Sequence, residues 1–145
     1  MANKFQKSLY IVKNKEKYVG RRNPICRSSW ERTFCIFLDL SPNVLQWASE
    51  AIRVPYCDPL TGKQKGYYPD FFMVYLDKDG VKKAEIVEIK PSTQTGQKKT
   101  KSAVNKAQII KNHAKWQAAL AYCAKNGLKF HLITELEMFK SGTKK

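Results

Sequence analysis

Two apolar stretches separated by a short turn sequence constrain the fold of this chain more than any other feature. The first, YYPDFFMVYL, spans residues 67–76, and the second, AEIVEIK, spans residues 84–90. The sequence DKDG between them is typical of a tight turn, so the pattern predicts an antiparallel hairpin whose second strand ends at the following proline. Both strands nevertheless carry charge, at Asp70 in the first and at Glu88 and Lys90 in the second.

The length of the turn decides whether these charges meet. A three-residue loop over residues 78–80, with its glycine in the left-handed conformation, places Asp70 directly opposite Glu88. Opposed side chains of an antiparallel pair project from one face, and Lys90, two residues after Glu88, shares that face. A two-residue loop would instead put Asp70 opposite Ile89, on the other face. The three-residue loop therefore predicts that two carboxylates and a lysine converge.

Two carboxylates that oppose one another across a strand pair repel each other unless a cation compensates them. Their oxygens suit Mg²⁺, which keeps several waters and accepts phosphate oxygens of a substrate. Such an ion acidifies bound water, and Lys90 would orient that water or neutralise charge on the phosphate. The alternative is that Asp70 ends a strand at the surface while Glu88 and Lys90 form a solvated ion pair, which spacing alone leaves open.

The other patterns along the chain predict an α/β fold of mixed type. They are a helix over residues 27–40, a short helical turn over 43–49, a first strand over 50–56, a helix over 102–125, a fourth strand over 128–134 and a short final helix capped by Thr134. With the hairpin, this order predicts a central mixed sheet of about four strands flanked by helices. We expect one domain over residues 1–145, with a basic N-terminal arm over about 1–23 and a mobile polar loop before the long helix.

The net charge of the 145-residue chain is +15, from 27 Lys and Arg against 12 Asp and Glu. A surplus this large favours a polyanionic partner, and nucleic acid is the first candidate. An anionic membrane is the alternative, but the basic residues are spread through the chain rather than gathered on one face of an amphipathic helix. No apolar run reaches the roughly 18 residues that cross a bilayer, and the first twenty residues lack the apolar stretch of a signal peptide.

The cysteines do not have the spacing of a zinc site. None of the four forms a CxxC pair, and both histidines lie far from them in sequence. Each cysteine adjoins apolar residues, so we expect four buried, reduced thiols at Cys26, Cys35, Cys57 and Cys123. No small-molecule cofactor is predicted.

The charged hairpin motif resembles that of the PD-(D/E)XK nuclease superfamily. Pro69 and Asp70 are followed, after 17 intervening residues, by Glu88, Ile89 and Lys90. RSSWE at the start of a helix, then YYPDF, VEIKP and NHAKWQAA, are similar, in this order, to segments of tailed-phage head completion nucleases and of TnsA-type transposase endonucleases. The resemblance extends from about residue 27 to residue 134.

The resemblance implies a restriction-endonuclease-like core and metal-dependent hydrolysis of DNA phosphodiester bonds. Asp70 and Glu88 would hold Mg²⁺, for which Mn²⁺ would substitute, with help from the Ile89 carbonyl. Lys90 would be the motif lysine. Glu31 matches the acidic residue on the first helix that completes or supports the metal shell.

Glu31 also has a purely structural interpretation. Ser28 and Glu31 fit the S-x-x-E capping box, in which the glutamate satisfies backbone donors at the start of a helix. The sequence leaves open whether Glu31 is a metal ligand or a helix cap.

Further residues are predicted to contact DNA, mostly through phosphates. They are Arg27, Tyr68, Lys98, Lys99, Lys101, Gln108 and Lys115. Each also has an alternative role, as a solvated flank, an edge aromatic or an ordinary basic helix face.

The predicted function is that of a Mg²⁺-dependent endodeoxyribonuclease of the phage head completion type. It would act on double-stranded DNA while capsids mature, in the virion or the host cytoplasm, alongside head or portal proteins. The alternatives are a non-enzymatic DNA-binding or head structural protein, and a junction-resolving, restriction or transposon-end endonuclease of the same superfamily.

Overall fold

The computed structural model describes residues 7–92, 95 and 103–134. Its elements, in chain order, are β1 (Ser8–Leu9), β2 (Ile25–Cys26), α1 (Ser29–Leu40), β3 (Val44–Ser49), β4 (Val54–Cys57), β5 (Gln64–Tyr67), β6 (Phe71–Leu76), β7 (Lys82–Ile89), α2 (Ala103–Asn126) and β8 (Lys129–Ile133). The loop expected before α2 and the final helix predicted after β8 lie almost entirely outside the described residues. No described helix is both long enough and apolar enough to span a bilayer.

The central sheet has four strands in the order β3-β6-β7-β8. Its first three strands pair antiparallel, and β8 joins β7 in parallel. This confirms the predicted mixed sheet. Helix α1 packs one face of the sheet through Phe34 and Leu38, while α2 packs through Trp116 and Ala119 against the β4–β5 hairpin and the other face of β8. The helix predicted over residues 27–40 is therefore confirmed, with its first residue at Ser29.

Of the two turn lengths that the sequence leaves open, the β6–β7 hairpin has the three-residue turn. The Asp77 amide donates to the Val81 carbonyl at 2.9 Å, and Gly80 is left-handed with φ of 78°. Phe71 therefore pairs with Val87, so the preceding residue, Asp70, lies opposite Glu88. The long helix predicted over residues 102–125 ends at Asn126, before a left-handed Gly127 with φ of 69°.

Three strand assignments from the sequence were wrong or incomplete. Residues 43–49 do not form a helical turn, because β3 occupies them and pairs along β6. A short apolar run is compatible with either structure, and here the free edge of β6 decides between them. Of the first strand predicted over 50–56, only Val54 onward is extended, and it belongs to a separate two-stranded sheet with β5. Tyr67 ends β5 rather than beginning β6.

The N-terminal segment contributes to the core rather than only preceding it. Strands β1 and β2 pair, and Tyr10 and Val12 are buried among the residues of α1 and the sheet. All four cysteines are free, but only three are buried as expected. Cys57 is exposed, because side chains alternate along β4 and those of Val54 and Tyr56 take the inward positions.

Candidate active site

Asp70 and Glu88 are held at one end of the β6–β7 hairpin by backbone amides from the opposite side of the hairpin. The Ile89 amide donates to Asp70 Oδ2 at 2.8 Å, and the Asp70 amide donates to Glu88 Oε1 at 3.2 Å. The Asp70 carbonyl in turn accepts from the Glu50 amide at 3.0 Å, which ties this point to the end of β3. Because backbone groups make these contacts, both carboxylates are positioned by the strand register itself.

The surroundings of the pair disfavour negative charge on both carboxylates. Burial raises the pKa of Asp70 well above its usual range, and the negative charges of Glu88 and Glu31 raise it further. Burial also raises the pKa of Glu88, against the opposing effect of Lys90. A positive charge placed between the two carboxylates would relieve both effects.

Lys90 lies beside Glu88, as the sequence predicts. Its Nζ is 3.8 Å from Glu88 Oε2, and its side chain is 28% exposed. The Lys90 amide donates to the Ile133 carbonyl at 3.0 Å, so β8 fixes the backbone from which this lysine extends. A partly exposed lysine fixed at its base can reach a phosphate that approaches from solvent.

Glu31 makes helix-capping contacts. Its amide donates to Ser28 Oγ at 3.1 Å, and its carboxylate Oε1 accepts from the Arg27 amide at 2.8 Å. The second bond differs by one residue from the standard capping box, in which the Ser28 amide would donate. Burial raises the pKa of Glu31, and its charge acts on Asp70, so this carboxylate borders the site.

The chemistry of the donor set fits a hard divalent cation. Across the residues that the structure describes, no three Asp, Glu, His or Cys side chains converge as a ligand cluster. An ion between Asp70 and Glu88 would therefore have two carboxylates and complete its shell with waters, a backbone carbonyl or substrate oxygens. Mg²⁺ is commonly bound in this way, with few protein ligands and substrate phosphates.

The described residues that are predicted to contact DNA differ in their surroundings. Arg27 pairs with Glu50 at 2.5 Å. Tyr68 is 49% exposed, which excludes a core role. Gln108 donates to Asn112 Oδ1 at 3.0 Å. The three lysines of the polar loop, Lys98, Lys99 and Lys101, lie outside the described residues.

Lys115, on α2, lies near the carboxylates rather than on a helix face that meets only solvent. Its Nζ lies 5.5 Å from the centre of the Tyr67 ring and 5.9 Å from that of Tyr56. Burial lowers its pKa, as does the charge of Lys90, while Glu88 acts in the opposite direction. Lys115 therefore borders the carboxylate site from the side of α2.

Sequence reasoning missed Tyr67 as a member of the site. Its side chain is buried, and both burial and the charge of Glu88 raise its pKa, so the hydroxyl stays protonated beside the carboxylate. Its position three residues before Asp70 was the available signal. The assignment of Tyr67 to the wrong strand concealed its inward direction.

Comparison with known proteins gives two matches. Residues 41–135 match the family described as TnsA-like endonuclease N terminal. A head completion nuclease of Enterobacteria phage T4 is 33% identical to the chain, in an alignment that covers 87% of this chain and 89% of that protein. The range that matches the family, residues 41–135, contains all four strands of the central sheet and the residues Asp70, Glu88 and Lys90.

Proposed function

The chain belongs to the TnsA-like endonuclease family, and we propose that it is a phage head completion nuclease that hydrolyses phosphodiester bonds of double-stranded DNA with a divalent cation. One observation carries this proposal: in a chain of an endonuclease family, the buried Glu88 and the half-buried Asp70, both with raised pKa values, oppose each other beside a lysine. The near full-length match to a head completion nuclease supports the biological context. Head or portal proteins are the proposed partners, in the virion or host cytoplasm.

Each residue of the site has a proposed role. Asp70 and Glu88 hold the cation, with Mg²⁺ first and Mn²⁺ as a substitute, and the Ile89 carbonyl is a third donor. When bound, the ion acidifies a water and polarises the phosphate. Lys90 orients the attacking water or neutralises charge that develops on the phosphate oxygens.

Two further side chains support this arrangement without contacting the reacting atoms. Tyr67 packs beside Glu88 and restricts where that carboxylate points. Glu31 contributes negative charge next to Asp70 and retains its helix-capping bond, so we propose that it supports the ion's surroundings. Arg27, Tyr68, Gln108, Lys115 and the loop lysines Lys98, Lys99 and Lys101 are proposed to contact DNA.

Cleavage of transposon ends is the second candidate, because the matching family takes its description from TnsA. That match covers residues 41–135, whereas the match to the head completion nuclease covers 87% of the chain. The two candidates differ in substrate. Mapping the products on linear, branched and transposon-end duplexes separates them, because a head completion nuclease should cut plain linear duplex without requiring a specific end.

Plasmid digestion tests the enzymatic claim. Wild-type protein should nick or linearise plasmid with Mg²⁺ or Mn²⁺ and be inactive in EDTA. Asp70→Asn and Lys90→Ala should both lose activity. Asp79→Asn and Lys82→Ala, exposed residues at the other end of the same hairpin, are the matched controls and should cleave like wild type. Wild-type protein that is inert with both metals, or an Asp70→Asn variant that cleaves normally, would contradict the proposal.

A further inference from the structure

The β4–β5 hairpin stands apart from the central sheet and leads directly into the site. Its strands pair from Val54 with Tyr67 at the base to Cys57 with Gln64 near the turn. Only Tyr68 and Pro69 separate its last residue from Asp70. A displacement of this hairpin would therefore be transmitted to the carboxylates within three residues.

The base of this hairpin is anchored. Val54, Tyr56 and Tyr67 form a buried cluster with Trp116 and Ala119 of α2. An isolated two-stranded hairpin is marginally stable in water, so this packing is what makes the hairpin persistent. The side chains that alternate with the buried ones face away from α2.

The turn of the hairpin is ordered by Asp58. Its Oδ1 accepts from the Leu60 amide at 2.9 Å, its carbonyl accepts from the Gly62 amide at 2.7 Å, and its Oδ2 lies 3.2 Å from Lys65 Nζ. Gly62 is left-handed, with φ of 74°. Because its backbone bonds are made internally, the exposed tip presents its outward side chains in a fixed arrangement.

A line of positive charge connects this turn to the carboxylates. Lys90 lies beside Glu88, and Lys115 lies over the two tyrosine rings of the hairpin base. Lys111 lies one helical turn before Lys115 and acts electrostatically on both Lys115 and Asp58. Lys63 and Lys65 continue the positive charge on the exposed hairpin itself.

We propose that the β4–β5 hairpin is a DNA-binding ribbon that enters the major groove beside the cleaved phosphate, an inference that rests on the proposed function. A two-stranded β-ribbon fits the width of the major groove of B-DNA. Lys63 and Lys65 bind phosphates at the groove edge, and Lys111 and Lys115 continue the contact toward the site. Because these are phosphate contacts, the ribbon sets position and orientation rather than sequence preference.

The first test measures duplex affinity with Ca²⁺ in place of Mg²⁺, by fluorescence anisotropy across a salt series. Each lost phosphate contact should reduce the salt slope by about 0.9 and weaken binding about fivefold at 0.15 M salt. The variant Lys63→Ala/Lys65→Ala should therefore lose about 2 in slope and bind about 30-fold more weakly. Lys63→Ala alone leaves the Asp58–Lys65 pair intact and should show half of the slope change.

The control variant Lys78→Ala/Lys82→Ala removes the same charge from the turn at the opposite end of the sheet and should bind like wild type. With Mg²⁺, the hairpin variant should raise KM and leave kcat nearly unchanged. If both double variants weaken binding equally, the effect is net charge and the ribbon is contradicted. If wild-type protein cleaves duplex and the hairpin variant binds and cleaves as well as wild type does, the ribbon inference fails while the proposed function stands. If wild-type protein does not cleave duplex, the proposed function itself is contradicted.

The groove is tested separately by competition. Methyl green occupies the major groove and distamycin the minor groove, so only methyl green should compete with the wild-type protein for duplex. The variant Lys63→Ala/Lys65→Ala should lose this sensitivity. Competition by distamycin alone would overturn the major-groove assignment.

Discussion

Asp39 is buried and Asp70 is half-buried, and their surroundings move the pKa values of the two aspartates in opposite directions. Burial alone would raise the pKa of Asp39, but hydrogen bonds lower it below its usual value. The donors are the Tyr10 hydroxyl at 2.6 Å and the amides of Lys13 at 2.8 Å and Asn14 at 3.0 Å. Asp39 therefore fastens the N-terminal segment to α1.

Asp70 has a different environment. It accepts a hydrogen bond from the Ile89 amide and faces Glu88, and burial together with that negative charge raises its pKa. The contrast shows that burial alone does not indicate the role of a carboxylate. A carboxylate surrounded by donors stabilises the fold, whereas one opposed by a second carboxylate has the environment from which we propose a cation site.

The largest expected difference between the two aspartates is in catalysis. Asp70→Asn should lower the cleavage rate at least about 100-fold, because even the outer partners of metal ligands are worth about 10- to 100-fold. Asp39→Asn should leave the rate per folded molecule near that of wild type. Plasmid cleavage, normalised to the folded fraction from circular dichroism, measures both. Equal losses of cleavage rate in the two variants would contradict a specific catalytic role for Asp70.

Divalent cations should distinguish the two regions in thermal unfolding. A cation at 100 times its Kd stabilises the fold by about 2.7 kcal/mol. For a chain of this size that corresponds to roughly 8 °C in Tm. Mg²⁺ or Mn²⁺ should raise the Tm of wild type and of Asp39→Asn. Asp70→Asn should show little shift, and a full shift in that variant would place the ion elsewhere.

In the absence of metal, the substitutions Asp39→Asn and Asp70→Asn should change the free energy of unfolding in opposite directions. Asp39→Asn should lower the free energy of unfolding by about 2 kcal/mol, because buried amides and the Tyr10 hydroxyl lose a charged acceptor. Asp70→Asn should raise it by about 1 kcal/mol or less, because it relieves repulsion across the strand pair. Urea unfolding in EDTA at neutral pH measures both values. A destabilised Asp70→Asn would show that Asp70 has a structural role.

The smallest expected effect is the pH dependence of the contribution that Asp39 makes to the free energy of unfolding. Its folded pKa is below the unfolded value of about 4, so its stabilisation is fully present above that value and is lost as pH falls through the folded pKa. The stability difference between wild type and Asp39→Asn should therefore be constant from about pH 5 to 7 and shrink below about pH 4. Urea titrations of both proteins measure this, and a difference that persists to pH 2 would contradict the assignment.

The sequence predicted the β6–β7 hairpin because its turn residues are local, but it left the length of the turn, and with it the register, open between two alternatives. Gly80 takes the left-handed position, and the resulting register brings Asp70 opposite Glu88 without information from distant parts of the chain. The N-cap at Ser28 and the end of α2 at Gly127 are local in the same sense.

Features that depend on distant pairing could not be predicted from the sequence. The Tyr10 hydroxyl reaches Asp39 across 29 residues, and no local pattern indicates that contact. Residues 43–49 became β3 because β6 offered a free edge. Lys115 joined the site only because α2 packs on the β4–β5 hairpin, whose separate position the sequence did not reveal.

A crystal soaked in Mn²⁺ near neutral pH tests the central claim most directly. Anomalous diffraction should give a peak within about 2.0–2.3 Å of one oxygen from Asp70 and one from Glu88, as expected for a small hard cation with carboxylate ligands. The same soak of Asp70→Asn should give no peak there. The account would be contradicted by a wild-type crystal that has no manganese between Asp70 and Glu88 but binds it elsewhere, for example between Glu85 and His131.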